Sequence, residues 1–468
     1  MARAPFGLPR RRSTDRAAAA PREHGGPPAA VVAVKRLFAA ETGTYFLLLG
    51  TTVFLVVLGL VMVLSSSSVE EYIQNHSFFG AFLRQGTYAA IGIPLMLVLS
   101  RVPREFWRRW AWHVLGLAVV LQLLVYTPLG YAVGGNRAWL DLGVVTAQPA
   151  EFTKLALALW LGMIFALKRD LMDDWRQLVV PVVPVTAGVL ALVMLGGDLG
   201  TVMMIMLLAV GAIWFAGVRL RYLLVPLGAL ALVVPLLTQL SSSRTDRISA
   251  WLSGCTDEAN YQAECWQTLH GMWALASGGV FGAGLGNSKS KWSWLPEADN
   301  DFIFAIIGEE LGLVGAVVVL AVFVVLAVGF VRVIRRSHDP FVRVVTGAVL
   351  TWIVGQALVN IAVVLGLLPV LGVPLPLISS GGSALIVTLA AIGVVLGFAR
   401  HADDADLVGE AAPRPVSEPT PARPDLRSVP LVPPAPDPRA ESRRRAELAR
   451  DASRRAAEAR ARRVGSGR

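Results

Sequence analysis

The sequence predicts an all-α integral membrane protein with ten transmembrane helices, both termini cytoplasmic, and one long extracytoplasmic loop between helices 7 and 8. Three observations carry this. Of 468 residues, 54% are hydrophobic and only 16% are charged, against about 25% charged in an ordinary soluble domain. The apolar residues come in continuous blocks, ten of them long enough to cross a bilayer. Short basic loops alternate with poorly basic ones, the pattern that fixes topology.

The blocks lie near 44–65, 86–100, 110–127, 151–167, 178–195, 201–217, 220–238, 302–330, 345–367 and 384–400. The second is the shortest. Each must satisfy its own backbone polar groups in lipid, so each is read as a helix. Arg101, Arg104, Arg108 and Arg109 fill one basic loop, and Lys168, Arg169 and Arg176 the next. Arg219 and Arg221, then Arg332, Arg335, Arg336 and Arg343, continue the series. Arg10, Arg11, Arg12, Lys35 and Arg36 put the N-terminus on the same side, with the C-terminal tail. An even number of crossings agrees. No signal peptide is evident, because about 40 residues precede the first apolar block.

The net charge of +10 is concentrated in the tails. Residues 1–40 read as a disordered basic cytoplasmic segment and 41–400 as the membrane domain, including the loop 239–301. Residues 401–468 read as a tail, proline-rich over 411–438 and then rich in Ala, Arg and Glu over 439–463. Such charge suits anionic membrane lipid and partner proteins. Nucleic acid is not expected, since no folded basic module accompanies it.

Five loops face outward: 66–85, 128–150, 196–200, 239–301 and 368–383. The longest holds the only two cysteines, Cys255 and Cys265, on the oxidising side, where a structural disulfide is expected. Against a metal site, His270 is the only nearby further donor.

Polar residues near membrane depth collect on this outer side. Glu151 and Lys154 share a helix face and can pair, either as a structural ion pair or as part of a site. Asp198, in Gly196-Gly-Asp-Leu-Gly-Thr201, suits an N-cap or a site equally. Arg137 can grip an anionic headgroup or phosphate. Trp139 fits there too, or simply marks the membrane interface. Pro374-Leu-Pro-Leu-Ile-Ser-Ser-Gly-Gly-Ser383 suggests a re-entrant segment lining a cavity.

Five acids crowd the entrance to the eighth block: Glu297, Asp299, Asp301, Glu309 and Glu310. Charge at such a place is costly and tends to be functional. Asp301 falls at the predicted helix start, either as an N-cap or as a reactive group. Ala305, Gly308 and Gly312 lie within about 40° of it on a helical wheel. That stripe serves helix packing or leaves room for a substrate chain. Like charges at Glu297 and Asp299 raise the pKa of a neighbour, and such a carboxylate can act as general base. Glu309 and Glu310 point elsewhere and need partners; a basic residue of another helix, Asn360 or Gln356 could supply them. The glycines at 278, 279, 282, 284 and 286 read as a hinge or re-entrant turn, since the Gly-Lys-Ser/Thr ending of a phosphate loop is missing.

Taken in order, these motifs resemble the SEDS family (shape, elongation, division and sporulation) of bacterial cell-wall synthases over residues 40–400. The carriers are Arg137-Ala-Trp139, Gln148-Pro-Ala-Glu-Phe-Thr-Lys154, Asp198-Leu-Gly-Thr201, Leu295-Pro-Glu297, Asp301-Phe-Ile-Phe304, Gly308-Glu-Glu-Leu-Gly312, Pro374-Leu-Pro376 and Ile378-Ser-Ser-Gly-Gly-Ser383. Gly59-Leu-Val-Met-Val-Leu-Ser-Ser-Ser-Ser-Val69 is more similar to the division member than to the elongation member.

The resemblance implies a peptidoglycan glycosyltransferase of the bacterial plasma membrane, working at the division septum on lipid II. It implies Asp301 as the catalytic base for the acceptor hydroxyl. Arg137, Trp139, Glu151, Lys154, Asp198, Glu297 and Ser379 would be substrate-binding, with Arg137 and Lys154 assigned to pyrophosphate. No cofactor is certain; a divalent cation held by Asp299 and Asp301 is one option. A class B penicillin-binding protein is the implied partner, with other division proteins on the tails. A lipid II flippase, an elongation synthase and a non-catalytic scaffold are the competing readings. The chain departs from the family in having Asp299-Asn300 where His-Thr is common, Gly196-Gly197 for Gln-Pro, and Ser380 for tyrosine.

Overall fold

The computed structural model describes residues 43–141, 143, 146–171, 175–218, 228, 242–255, 265–292, 294–411 and 438–464. The predicted crossing at 220–238, the N-terminal segment 1–40 and the proline-rich 412–437 lie almost wholly outside these.

The helices before the outer sheet are α1 (Gly43–Asn75), α2 (Gly80–Leu99) and α3 (Arg104–Leu124). Then come α4 (Pro149–Leu167), α5 (Trp175–Leu195) and α6 (Leu199–Phe215). Two shorter helices follow, α7 (Ser242–Leu252) and α8 (Trp266–Gly278). The last long ones are α9 (Ile303–Arg336), α10 (Pro340–Val364) and α11 (Ser383–Ala411). Among the described residues six helices are long and apolar enough to cross a membrane, and α5 and α6 supply shorter apolar ones. The helix α12 (Pro438–Val464) belongs to a separate unit that begins at Glu410.

The all-α expectation needs one correction. Gly130–Val133 (β1), Asn136–Asp141 (β2) and Thr146–Ala147 (β3) form an antiparallel sheet between α3 and α4. Gly134 and Gly135 make the β1–β2 turn with φ +57° and +82°, values that glycine adopts without strain. A short hairpin in a glycine-rich loop leaves little hydrophobic pattern to read.

α4 is the hub. Sixteen of its 19 residues are buried, and it packs on α3, α6 and α10. A helix apolar all round belongs inside a bundle. Pro149 fits the first turn, where its missing N–H costs nothing. Small residues set the spacing: a Cβ at Gly162 would meet Val345, and one at Gly211 would meet Thr351. In lipid, such close approach stands in for the hydrophobic drive between helices. Large apolar side chains such as Phe54, Val57, Leu313, Val317 and Val324 are exposed on α1 and α9. That outward apolar surface is the one a bilayer covers.

α9 starts at Ile303, not at Asp301, and its cap position is Phe302, without a side-chain cap hydrogen bond. It is also broken: Gly312 has φ +69°. The segment 279–284 enters this break. Ala283 and Gly284 donate to the Glu309 and Glu310 carbonyls, and Leu313 and Val314 donate to Gly279 and Val280. The glycine loop is therefore a packed re-entrant turn that completes an interrupted helix. The stripe beneath Asp301 is no open groove, because α8 fills it. A Cβ on Gly271 would strike Phe302, and one on Gly278 would lie 2.0 Å from the Gly308 carbonyl oxygen.

Gly282 is the tightest point of the turn, with φ +80° and its would-be Cβ 2.1 Å from the Glu310 carbonyl oxygen. Gly282→Ala is expected to lower the thermal midpoint in detergent, since strained backbone and a backbone clash act together, at about 1–3 kcal/mol for the backbone part alone. An unchanged midpoint would show that the turn is not built as described.

Candidate active site

A cavity of about 150 Å³ is lined by residues from several elements. β2 brings Ala138 and Trp139, the first turns of α4 bring Gln148, Glu151 and Lys154, and the start of α6 brings Asp198 and Thr201. The broken segment before α11 adds Gly372, Pro374, Ser380 and Gly381, and Asn300 closes one side. The structure thus joins Trp139, Glu151, Lys154 and Asp198 at one place.

The structural and the site readings of these residues turn out to be compatible. Lys154 pairs with Glu151 at 2.8 Å, with side chains 1% and 5% exposed. Lys154 Nζ also donates to Gln356 Oε1 at 3.2 Å and sits 4.7 Å from the Trp352 ring centre. Burying such a pair is worthwhile only when remaining hydrogen bonds are satisfied, and Gln356 and Trp352 do this. Asp198 does cap α6: it accepts from the Thr201 N–H at 2.9 Å. Its other oxygen takes the Thr201 hydroxyl at 2.7 Å and the Gln148 amide at 2.8 Å.

Arg137 does not line the cavity. Its guanidinium donates to the carbonyls of Val125, Thr127 and Gly130, and its N–H to Gly196. It clamps the sheet onto the turn before α6. Ser379 is likewise spent on backbone: its hydroxyl donates to the Asn300 carbonyl at 2.7 Å and accepts from the Leu375 N–H at 2.8 Å. The loop bearing Asp301 is thereby tied to the broken segment.

Glu309 and Glu310 are buried, 3% and 1% exposed. Their partners are not those expected. Glu309 accepts from the Ser288 hydroxyl and the Lys289 N–H, and Glu310 from the Ser65 hydroxyl, with Lys291 Nζ at 4.0 Å. Glu309 fastens the re-entrant turn, while Glu310 also ties α9 to α1 through Ser65. Gln356 serves Lys154 instead. Asn360 donates to the Asp301 and Val373 carbonyls at 2.7 and 2.8 Å.

Asp301 sits just ahead of α9. The residue is half-buried, but its Oδ1 has no exposed surface and no hydrogen-bond partner. Its Oδ2 faces Gly372 in the cavity wall, 3.7 Å from where a Cβ would stand. Burial, then the negative Glu297, raise its pKa from 3.8 to about 7; Asp198 and Asp299 add to this and Arg247 opposes it. Asp299 rises to about 6, again by burial first and Glu297 second. Glu297 itself is exposed, in a left-handed conformation at φ +57°, and accepts from the Asn300 amide. Among the described residues no group of three or more His, Cys, Asp or Glu could hold a metal ion. Arg247, on α7, was missed by sequence reasoning: it lies in a weakly patterned helix far along the chain from Asp301.

Buried ionisable groups around a cavity in a bundle of apolar helices define an integral, multi-pass membrane protein. The chain belongs to the cell cycle protein family of FtsW, RodA and SpoVE, whose profile matches residues 46–404. It is 38% identical over 363 residues to the Mycobacterium tuberculosis protein named "Probable peptidoglycan glycosyltransferase FtsW", covering 77% of this chain and 69% of that one. Identity to stage V sporulation protein E of Bacillus subtilis is 34% over 364 residues, 77% and 98% of the two chains. Among solved structures, a chain from a peptidoglycan synthase complex that coordinates polymerization and crosslinking is similar with TM-score 0.63 at 27% identity, covering 76% of this chain and 97% of that one. The rod shape determining protein RodA of Thermus thermophilus gives TM-score 0.56 at 26% identity, with 76% and 96% covered.

Proposed function

We propose that this protein is a peptidoglycan glycosyltransferase that polymerises lipid II at the outer face of the cytoplasmic membrane during cell division. The observation that carries the reading is the Asp301 carboxylate. It is sequestered, holds an oxygen without a hydrogen-bond partner, and has a pKa of about 7. A base is most useful when its pKa lies near working pH.

In the proposed step, Asp301 takes the proton from the 4-hydroxyl of the acceptor sugar. The oxygen forms a bond to the anomeric carbon of the growing glycan. The bond from that carbon to the diphosphate oxygen breaks, and its electron pair leaves with undecaprenyl diphosphate. Positioning and compensation of charge supply the remaining rate enhancement. Lys154 and Asp198 shape the polar end of the cavity, and Trp139 offers a ring beside it. Glu297 and Asp299 keep Asp301 basic.

Ten crossings with both termini inside, the arrangement that the apolar blocks and basic loops suggest, would put the site on the outer face. The likeness to a chain from a synthase complex supports a class B penicillin-binding protein as partner, and that to FtsW supports a septal location. Residues 401–468 would recruit other division proteins. The test is glycan polymer formed by the purified protein with its partner and lipid II in detergent. Movement of lipid II across vesicles without any polymer would instead make the protein a transporter.

The outer loop adds a check of topology. Cys255 and Cys265 are disulfide-bonded. Intact, unreduced protein is expected to take up no alkylating reagent at either residue, read by mass. Two labelled cysteines would place the loop on the reducing side.

A further inference from the structure

Polymerisation releases an anionic diphosphate, and the two cations the sequence offered for it are already engaged. Arg137 is spent on three backbone carbonyls, and Lys154 on Glu151 and Gln356. Arg247 is exposed on α7, and it is the positive charge that bears on the Asp301 carboxylate, against the negative Glu297, Asp198 and Asp299.

Two anchors hold this helix beside the site. Trp251 lies one turn beyond Arg247 on the same face of α7, and its indole N–H donates to the Gly366 carbonyl at 2.9 Å. Gly366 follows α10, whose Asn360 holds the Asp301 carbonyl. Met272 and Thr268 of α8 stand within 4 Å of the position a Gly366 Cβ would take. The far end of α7 runs into Cys255, bonded to Cys265 at the start of α8. α8 in turn rests on Phe302, the residue after Asp301. The helix bearing Arg247 is therefore fixed to both elements that hold the carboxylate.

We propose that Arg247 binds the diphosphate group of the lipid-linked substrate. The identity of the ligand rests on the function proposed above. A guanidinium offers a planar fork that matches phosphate oxygens and stays charged at any working pH. An exposed arginine also gives up little when it turns to a ligand. Its charge offsets the repulsion that Asp301, Asp299 and Glu297 present to an incoming anion.

The experiment uses full-length protein in detergent and farnesyl diphosphate as probe, with binding read by ligand-induced thermal stabilisation. Arg247→Gln is expected to weaken the affinity by about tenfold or more, and Arg247→Lys by less. Neither variant should shift the thermal midpoint without ligand. Wild-type affinity in Arg247→Gln overturns the proposal. So does dioleoyl phosphatidylglycerol competing as well as farnesyl diphosphate, which would mark a lipid headgroup site. The measurement involves no turnover. Asp301→Asn polymerising normally would sink the base assignment and leave the binding result standing.

Discussion

Asp301→Asn is expected to lower glycan polymerisation by about 10²–10⁴-fold, the range a general base contributes, without loss of the folded protein. Asparagine keeps the shape and removes the proton acceptor. Folding should tolerate the change, since the main-chain carbonyl of this residue, not its carboxylate, is what Asn360 holds. The wild-type pH profile should carry the signature of the same group. Asp301 must be deprotonated to act, and its pKa is raised to about 7. The rate constant kcat/KM should therefore fall about tenfold per pH unit below neutrality. The charges facing Asp301 are Glu297 and Asp299 on its own loop, Asp198 ahead of α6 and Arg247 on α7. Glu297→Gln removes the largest charge repulsion, so the acid limb should move to lower pH. Initial rates of polymerisation across the neutral range decide this. A limb that stays in place would take Glu297 out of the account, and an active Asp301→Asn would remove the base.

Lys154→Ala should be the most destabilising single change on the outer side, at about 3–5 kcal/mol. It leaves Glu151 buried, 4% exposed and without its cation, and it deprives Gln356 Oε1 of a donor. The cost comes from the stranded charge rather than from the pair itself. Glu151→Gln combined with Lys154→Met should therefore recover much of the stability while leaving the cavity polar lining altered. Thermal unfolding in detergent of both variants distinguishes the cases. A double variant no better than Lys154→Ala would mean that packing, not uncompensated charge, dominates.

Much of the site was legible because its chemistry needs unusual residues in unusual places. An ion pair three residues apart in an apolar helix, and a carboxylate at the outer end of another, stand out against a membrane background. Glu151, Lys154, Asp198 and Trp139 came together in the structure as their motifs suggested. Partnerships were less legible. Gln356 and Asn360 were candidates for the acids of α9 and instead serve Lys154 and the Asp301 carbonyl. Spacing along one helix says which face a residue occupies, and nothing about which neighbour meets it. Arg137 shows the same limit: a cation beside a tryptophan reads as a ligand-binding group until its carbonyl partners are known.

The sequence by itself determined the solvent of this protein. Apolar blocks and basic loops are properties of composition, and the cost of charge in lipid depends on little else. Tertiary structure alone decided what the acids near α9 do. Whether Ala305, Gly308 and Gly312 open a groove or receive a helix depends on what packs there. α8 packs there, and Gly312 breaks the helix that the wheel assumed to be continuous. That break brings the re-entrant turn to Glu309 and Glu310. It leaves Asp301 as the carboxylate whose buried oxygen has no partner, a state set by three-dimensional burial and invisible in any linear pattern.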